Sequence, residues 1–92
     1  VPHRVEAKDI DIRDDYMGPK YGTVTPGGRE AMDLIAKSEG LLLDPVYTAK
    51  AMAGLIDDAR KGRLAAKDCV VFIHTGGTPA VFAYRDELMG RA

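Results

Sequence analysis

Two short apolar runs are each followed directly by a helix start, and this pairing restricts the fold more than any other feature of the sequence. Residues 41–43 lead into residues 44–45, an aspartate and a proline. Residues 69–73 lead, through a glycine pair, into residues 78–79, a threonine and a proline. A capping side chain followed by proline is typical of a helix N-terminus. A short, uninterrupted apolar run is typical of a strand covered on both faces. The sequence therefore predicts strand–helix units.

The remaining segments extend this pattern to strand, helix, strand, helix, strand, helix. Residues 6–16 alternate isoleucine with charged residues, which favours a strand with one wet face. A first helix is predicted from its cap, Thr25, to a left-handed Gly40, and the second and third should end near Gly62 and Met89. This order predicts an α/β fold with a parallel sheet and flanking helices. The 92 residues should form a single α/β segment.

Composition excludes several classes of function. The net charge is -1 and the pI is about 6.1, so no basic surface is available to bind nucleic acid or an anionic membrane. No apolar stretch approaches the roughly 20 residues of a membrane span. Cys69 is the only cysteine and lies in an apolar run, which predicts a buried thiol in a reducing cytoplasm. No spacing of ligand side chains indicates a metal site.

The candidate binding site lies where the two predicted inner strands end. Ligands of open parallel sheets bind beyond the carboxyl ends of the strands. If these two strands are neighbours, Tyr47, Thr48, His74 and Thr75 converge on one rim. The following helices point their N-termini at the same rim, which favours anionic or electron-rich ligand groups. A strand–Gly-Gly–helix turn occurs in many α/β folds, so this pattern alone does not identify the ligand.

Three motifs resemble those of a known enzyme family. Residues 38–55, SEGLLLDPVYTAKAMAGL, resemble a signature of the D-cysteine desulfhydrase and aminocyclopropane-carboxylate deaminase family. Residues 71–84, VFIHTGGTPAVFAY, resemble its second signature. Residues 15–22, DYMGPKYG, resemble a third and weaker one, with Lys20 where the family has glycine. The resemblance implies that the chain is the C-terminal part of a larger catalytic domain with the tryptophan-synthase-β-like fold (fold type II).

The resemblance implies pyridoxal 5'-phosphate as the cofactor and assigns residues to it. Thr75 is expected to face the pyridine nitrogen, where a neutral hydroxyl leaves that nitrogen unprotonated. Gly76 and Gly77 would let the backbone approach the ring closely, although a plain tight turn explains them equally well. For Thr48, a contact with the ring and a local role at the helix start are equally favoured. Lys50 is not the cofactor-binding lysine, which the resemblance places in an upstream asparagine-lysine motif.

Two side chains at the rim are candidates for contact with the substrate. Tyr47 is expected to be catalytic, reaching over the cofactor or the substrate to steer a proton or to stack. His74 is more typical of a hydrogen-bonded residue at a strand end than of a catalytic base. The substrate is expected to be a small amino acid.

The resemblance favours a carbon–sulfur lyase that converts D-cysteine to pyruvate, sulfide and ammonia. L-cysteate sulfo-lyase, which releases sulfite, is the close alternative. An aminocyclopropane-carboxylate deaminase is disfavoured by Thr48 and Thr75, where that subgroup has glutamate and leucine. The 92 residues hold neither the cofactor lysine nor a phosphate-binding loop, so alone they should be inactive. Two readings without catalysis also remain, an inactive assembly module and a small independent α/β protein. The chain should combine with the rest of the catalytic domain or a second subunit, as a homodimer at full length.

Overall fold

A computed structural model describes residues 4–90. Its regular elements are all helical: a 3-10 helix at Ala7–Asp9, α1 at Pro26–Glu39, α2 at Thr48–Arg60, α3 at Ala80–Ala83 and α4 at Arg85–Leu88. Within these residues, no helix combines the length and the hydropathy that crossing a bilayer requires.

Helix α1 begins and ends where the sequence predicts. The Thr25 side chain caps it by accepting a hydrogen bond from the Gly28 amide at 3.0 Å, and Pro26 occupies the first turn. Gly40 ends it in the left-handed conformation at φ 68°, and its amide donates to the Ala36 carbonyl. These signals lie within a few residues of each other along the chain. The predicted first helix is therefore confirmed at both ends.

Helix α2 begins later than predicted. The turn at residues 45–47 precedes it, and the helix proper starts at Thr48. Asp44 nevertheless holds this start, because its carboxylate accepts hydrogen bonds from three amides of the turn. The helix ends at Arg60, and Gly62 follows with φ 74°, as the sequence predicts.

The core lies between α1 and α2. Its buried apolar side chains are Ala31, Leu43, Ala49 and Met52. Gly28 faces α2 at ordinary packing distance, since a Cβ there would lie 3.7 Å from the Cβ of Ala49, but the same Cβ would come within 2.9 Å of the capping Thr25 Oγ1. At the solvent-exposed edge of this interface, Arg60 of α2 forms an ion pair with Glu30 of α1 at 2.8 Å. The helix pair is thus held by small and apolar residues inside and by opposite charges outside.

The described residues contain no β-strand, so the predicted parallel sheet is not formed within residues 4–90. Residues 10–14, 41–43 and 69–74 follow irregular paths instead. A strand exists only when a neighbour accepts and donates its backbone hydrogen bonds, and these three segments do not pair with one another. The predicted burial of the last segment is also wrong in this chain, because Cys69 is exposed and Val71 is 83% exposed.

The predicted last helix is divided into α3 and α4. The division falls at Tyr84, whose ψ of 16° leaves the helical range. Its hydroxyl donates a hydrogen bond to the Gly22 carbonyl at 2.8 Å, which ties this residue to the loop before α1. Arg29 on α1 donates to the carbonyls of Glu87 and Leu88 at 2.8 and 2.5 Å. These contacts fix the C-terminal segment against α1.

Candidate functional site

The turn before α2 is built around the Asp44 carboxylate. Asp44 is fully buried, and its Oδ2 accepts from the amides of Val46 and Tyr47 at 2.9 and 2.7 Å. Its Oδ1 accepts from the amide and the hydroxyl of Thr48 at 2.8 and 2.6 Å. Burial opposes ionisation of this carboxyl, but the hydrogen bonds outweigh it and lower the pKa of Asp44. The result is a rigid turn that presents Tyr47.

The second turn is built from His74 and the glycine pair. Gly76 and Gly77 have φ values of 97° and 86°, which side chains of L-residues rarely tolerate. The Gly76 amide donates to Nδ1 of His74 at 3.1 Å. Thr75 is exposed between them, and a Cβ at Gly76 would meet nothing within 4 Å. The hydroxyl of Thr75 is therefore accessible next to open backbone.

The two turns lie side by side. Nε2 of His74 lies 2.8 Å from the carbonyl oxygen of Leu42, which joins the segments that precede the turns. Gly77 lies against the first turn, because a Cβ there would come within 2.8 Å of the Asp44 Cγ. The predicted approach of the two turns is thus present although no strand pairing accompanies it.

Tyr47 is paired with a residue that the sequence analysis did not select. Its phenol shares a short hydrogen bond with the phenol of Tyr21, and the two rings meet edge to face with centroids 6.1 Å apart. The hydrogen bond with Tyr21 raises the pKa of Tyr47, and the partial loss of water and the nearby Asp44 charge act in the same direction. Tyr47 therefore keeps its proton at neutral pH and can donate it.

Tyr21 belongs to a loop that other contacts hold in place. The next residue, Gly22, accepts a hydrogen bond from the hydroxyl of Tyr84 and has φ 81°. Residues 15–22, the weakest of the three motifs, contain Tyr21, so that motif was the available signal for it. Because Tyr21 and Tyr47 are 75% and 55% exposed, both phenols remain open to a ligand at the rim.

The predicted site residues differ in accessibility. Thr75, Gly77 and Tyr47 are exposed and Gly76 is half-buried, so all four are available to a ligand. Thr48 is only 2% exposed, and its hydroxyl donates to Asp44 and accepts from the Asp44 amide at 2.8 Å. This arrangement matches the local role at the helix start that the sequence left open.

Two further predictions concern charged and metal-binding side chains. The sequence indicates that Lys50 is either solvated or ion-paired; it is 8% exposed on α2, so the solvated alternative is wrong. Among residues 4–90, no three histidine, cysteine or acidic side chains gather as metal ligands would.

Comparison with known proteins identifies the family. Residues 1–76 match the family described as pyridoxal-phosphate dependent enzyme. The chain is 52% identical to the D-cysteine desulfhydrase of Klebsiella pneumoniae (strain 342) over 80 residues, 87% of this chain and 24% of that protein. It is 55% identical to the D-cysteine desulfhydrase of Salmonella newport (strain SL254) over 76 residues, 83% of this chain and 23% of that protein.

A solved structure is similar as well. The crystal structure of an ACC deaminase homologue aligns with a TM-score of 0.68 and 45% identity, over 77% of this chain and 21% of that one. The chain spans about a quarter of the length of the curated relatives it matches. The chain belongs to the family of pyridoxal-phosphate-dependent enzymes.

Proposed function

We propose that this chain forms part of a pyridoxal-phosphate-dependent lyase that converts D-cysteine and water to pyruvate, sulfide and ammonia. The observation that carries the proposal is the identity of 52% and 55% to two D-cysteine desulfhydrases. In the complete enzyme, residues 41–43 and 69–74 lie in a parallel sheet whose other strands come from the rest of the catalytic domain. The exposed apolar side chains of Val70, Val71 and Ile73 support this arrangement, because a covered strand needs such a surface.

The residues of the second turn suit one end of the cofactor. The exposed Thr75 hydroxyl can donate a hydrogen bond to a ring nitrogen, and Gly76 leaves space for a planar ring beside the backbone, whereas Gly77 lies against Asp44. A neutral donor does not hold that nitrogen protonated as a carboxylate would. When bound, pyridoxal phosphate withdraws electrons from the bonds at the substrate's Cα. The part of this chain is to orient the ring, while the covalent lysine and the phosphate loop come from elsewhere in the enzyme.

The tyrosine pair suits the substrate side of the site. D-Cysteine loses its Cα proton and its Cβ–S bond, and the departing sulfur takes up a proton. Tyr47 holds a proton on its phenol at neutral pH and receives a hydrogen bond from Tyr21 or donates one to it. We assign Tyr47 the role of proton donor or positioning group near the sulfur, with Tyr21 fixing the direction of its hydroxyl.

An aminocyclopropane-carboxylate deaminase is the second candidate. The similar crystal structure of an ACC deaminase homologue favours it, at 45% identity. Thr48 and Thr75 argue against it, since the resemblance places glutamate and leucine there in the deaminase subgroup. The greater identity to D-cysteine desulfhydrases leads us to rank the deaminase second.

The test is to purify the protein that contains this chain and to measure its intact mass before and after borohydride reduction. A gain of one pyridoxyl group would show a covalently held cofactor. Release of pyruvate and sulfide from D-cysteine would then support the proposal, with L-cysteate and aminocyclopropane-carboxylate as parallel substrates. Faster turnover of either of these would move the assignment to the sulfo-lyase or the deaminase. No adduct and no turnover would favour an inactive assembly module.

A further inference from the structure

His74 lies between the two turns and uses both of its ring nitrogens. The Gly76 amide lies 3.1 Å from Nδ1, and the Leu42 carbonyl oxygen lies 2.8 Å from Nε2. A backbone amide can only donate, so Nδ1 accepts and carries no proton. The proton of the neutral ring is therefore on Nε2, where it is donated to the carbonyl of Leu42. The two partners together select one tautomer of His74.

These two bonds constrain the backbone around Thr75. His74 and Gly76 flank Thr75, so the bond between them fixes the peptide units on both sides of it. The bond to Leu42 fixes the same turn against a segment 32 residues earlier in the chain. Glycine has more backbone freedom than any other residue, so a turn with Gly76 and Gly77 needs an outside constraint to hold one conformation. His74 supplies that constraint.

We propose that His74 is a positioning residue that fixes the turn of Thr75, Gly76 and Gly77, and with it the direction of the Thr75 hydroxyl. It does not exchange protons with the substrate, because both ring nitrogens are engaged with backbone groups. This inference rests on the proposed function in one respect, that the Thr75 hydroxyl faces the cofactor. The tautomer of His74 follows from the hydrogen bonds alone.

The test compares three variants in the full-length protein loaded with pyridoxal phosphate. His74→Asn keeps a short amide that can accept from the Gly76 amide, in the place of Nδ1. His74→Gln has a longer amide that can donate to the Leu42 carbonyl, in the place of Nε2. His74→Phe keeps the size of the ring and makes neither bond. The series separates the two hydrogen bonds from the space that the ring fills.

For a positioning residue we expect kcat for D-cysteine to fall about tenfold to a hundredfold in His74→Phe, while KM changes little. At least one amide variant should recover part of the loss in kcat. The pH profile of kcat/KM should keep its acidic and its alkaline limb in all three variants, since His74 exchanges no proton with the substrate. The absorption spectrum of the bound cofactor should shift in His74→Phe and return towards wild type in the recovering variant. An unchanged kcat in His74→Phe would overturn the proposal, and so would the absence of recovery in both amide variants.

A second measurement does not depend on the substrate. The 15N NMR shifts of the His74 ring in alkaline buffer should show a protonated Nε2 and an unprotonated Nδ1. The opposite tautomer would overturn the inference whatever the enzyme acts on. If the wild-type protein leaves D-cysteine unchanged but shows the expected tautomer and cofactor spectrum, the proposed substrate fails while the role of His74 stands.

Discussion

At the scale of single residues, the Asp44 carboxylate contacts both turns of the candidate site. Asp44 accepts four hydrogen bonds from the turn that leads into α2, and it also lies against Gly77 of the other turn. Buried carboxylates are stable only when such bonds replace water. Asp44 therefore determines the position of Tyr47 directly and that of the glycine turn by contact.

The contact between Gly77 and Asp44 predicts unequal effects of two alanine substitutions. Gly76→Ala and Gly77→Ala both place a side chain at positive φ, which costs on the order of 1 kcal/mol. Only Gly77→Ala also drives a Cβ to 2.8 Å from the Asp44 Cγ, whereas the Cβ of Gly76→Ala meets open space. The loss of unfolding free energy should thus be larger for Gly77→Ala, as measured by urea denaturation. Equal losses would show that the two turns do not touch.

The low pKa of Asp44 predicts how its contribution depends on pH. Burial opposes ionisation, but hydrogen bonds from Thr48, Tyr47 and Val46 lower the folded-state pKa below the usual 3.8. A group whose pKa is lower in the folded state adds stability above its unfolded pKa and loses it as the pH falls through its folded pKa. Asp44→Asn replaces one acceptor oxygen by an NH2 group that cannot accept from the turn, so it should cost about 1–3 kcal/mol near neutral pH.

The difference between wild type and Asp44→Asn should shrink as the pH falls below about 4. Urea denaturation of both proteins at several pH values measures it. The comparison removes the contribution of the other carboxylates, which titrate in both proteins. A difference that stays constant down to the lowest pH at which both proteins remain folded would show that folding does not lower the pKa of Asp44.

At the scale of elements, the C-terminal half of α2 anchors the segment before α1. Arg13 donates to both oxygens of Asp58 at 2.7 and 2.5 Å, and Arg63 donates to one of them at 2.9 Å. These two guanidinium groups hold the pKa of Asp58 well below its usual range. The hydroxyl of Tyr16 adds a hydrogen bond to Asp57 at 2.5 Å. Arg13 and Tyr16 of an irregular segment are thus connected to Asp57 and Asp58 of a helix.

Removal of Asp58 should release that segment. Asp58→Ala leaves Arg13 and Arg63 without their shared partner, so residues 10–16 should exchange their amide hydrogens faster and the urea midpoint should fall. Asp33→Ala is the matched control, because Asp33 forms an exposed ion pair with Lys37 within α1 at 3.1 Å. Hydrogen exchange read by mass spectrometry checks both. Equal protection of residues 10–16 in wild type and Asp58→Ala would show that the hydrogen bonds of Asp58 with Arg13 and Arg63 do not hold this segment.

The elements that the sequence could predict are those whose stabilising contacts are local. Both ends of α1 depend on Thr25 and Gly40, whose partners lie three and four residues away, so local patterns were sufficient. The predicted strands needed partners elsewhere, and no local pattern states whether those partners are present. The break at Tyr84 accompanies a hydrogen bond to Gly22, 62 residues earlier, which periodicity does not contain.

The candidate site also has a part that local sequence predicts and a part that depends on contacts between distant segments. The motifs selected Tyr47, Thr75 and the glycine pair because turn chemistry is local. The pairing of Tyr47 with Tyr21 and the contact of Gly77 with Asp44 come from the way the chain folds back on itself. The sequence therefore predicted two candidate turns, and the structure shows the contacts that connect them.

At the scale of the molecule, the 92 residues cover their apolar surface poorly. The accessible area is 7121 Å², whereas a compact protein of this mass exposes about 5200 Å². The radius of gyration is 14.8 Å, against about 12 Å for a compact domain of this length. Val71, Ile73 and Phe82 are each more than three-quarters exposed. Such surface is what the rest of a catalytic domain or a second subunit would cover.

Because so much apolar surface stays exposed, we predict that a polypeptide of these 92 residues alone does not turn over D-cysteine. The proposed turnover needs a covalently held cofactor, and the resemblance places its lysine and phosphate loop outside these residues. It also needs Thr75 at a fixed position, and among the described residues the His74 side chain, not a strand ladder, ties the segment before Thr75 to residues 41–43. Pyruvate release should therefore equal that of free pyridoxal phosphate alone, which is the control, with the full-length protein assayed in parallel. Turnover by the short chain well above that control would show that residues 1–92 contain a complete site, and the proposed division of the catalytic groups would be wrong.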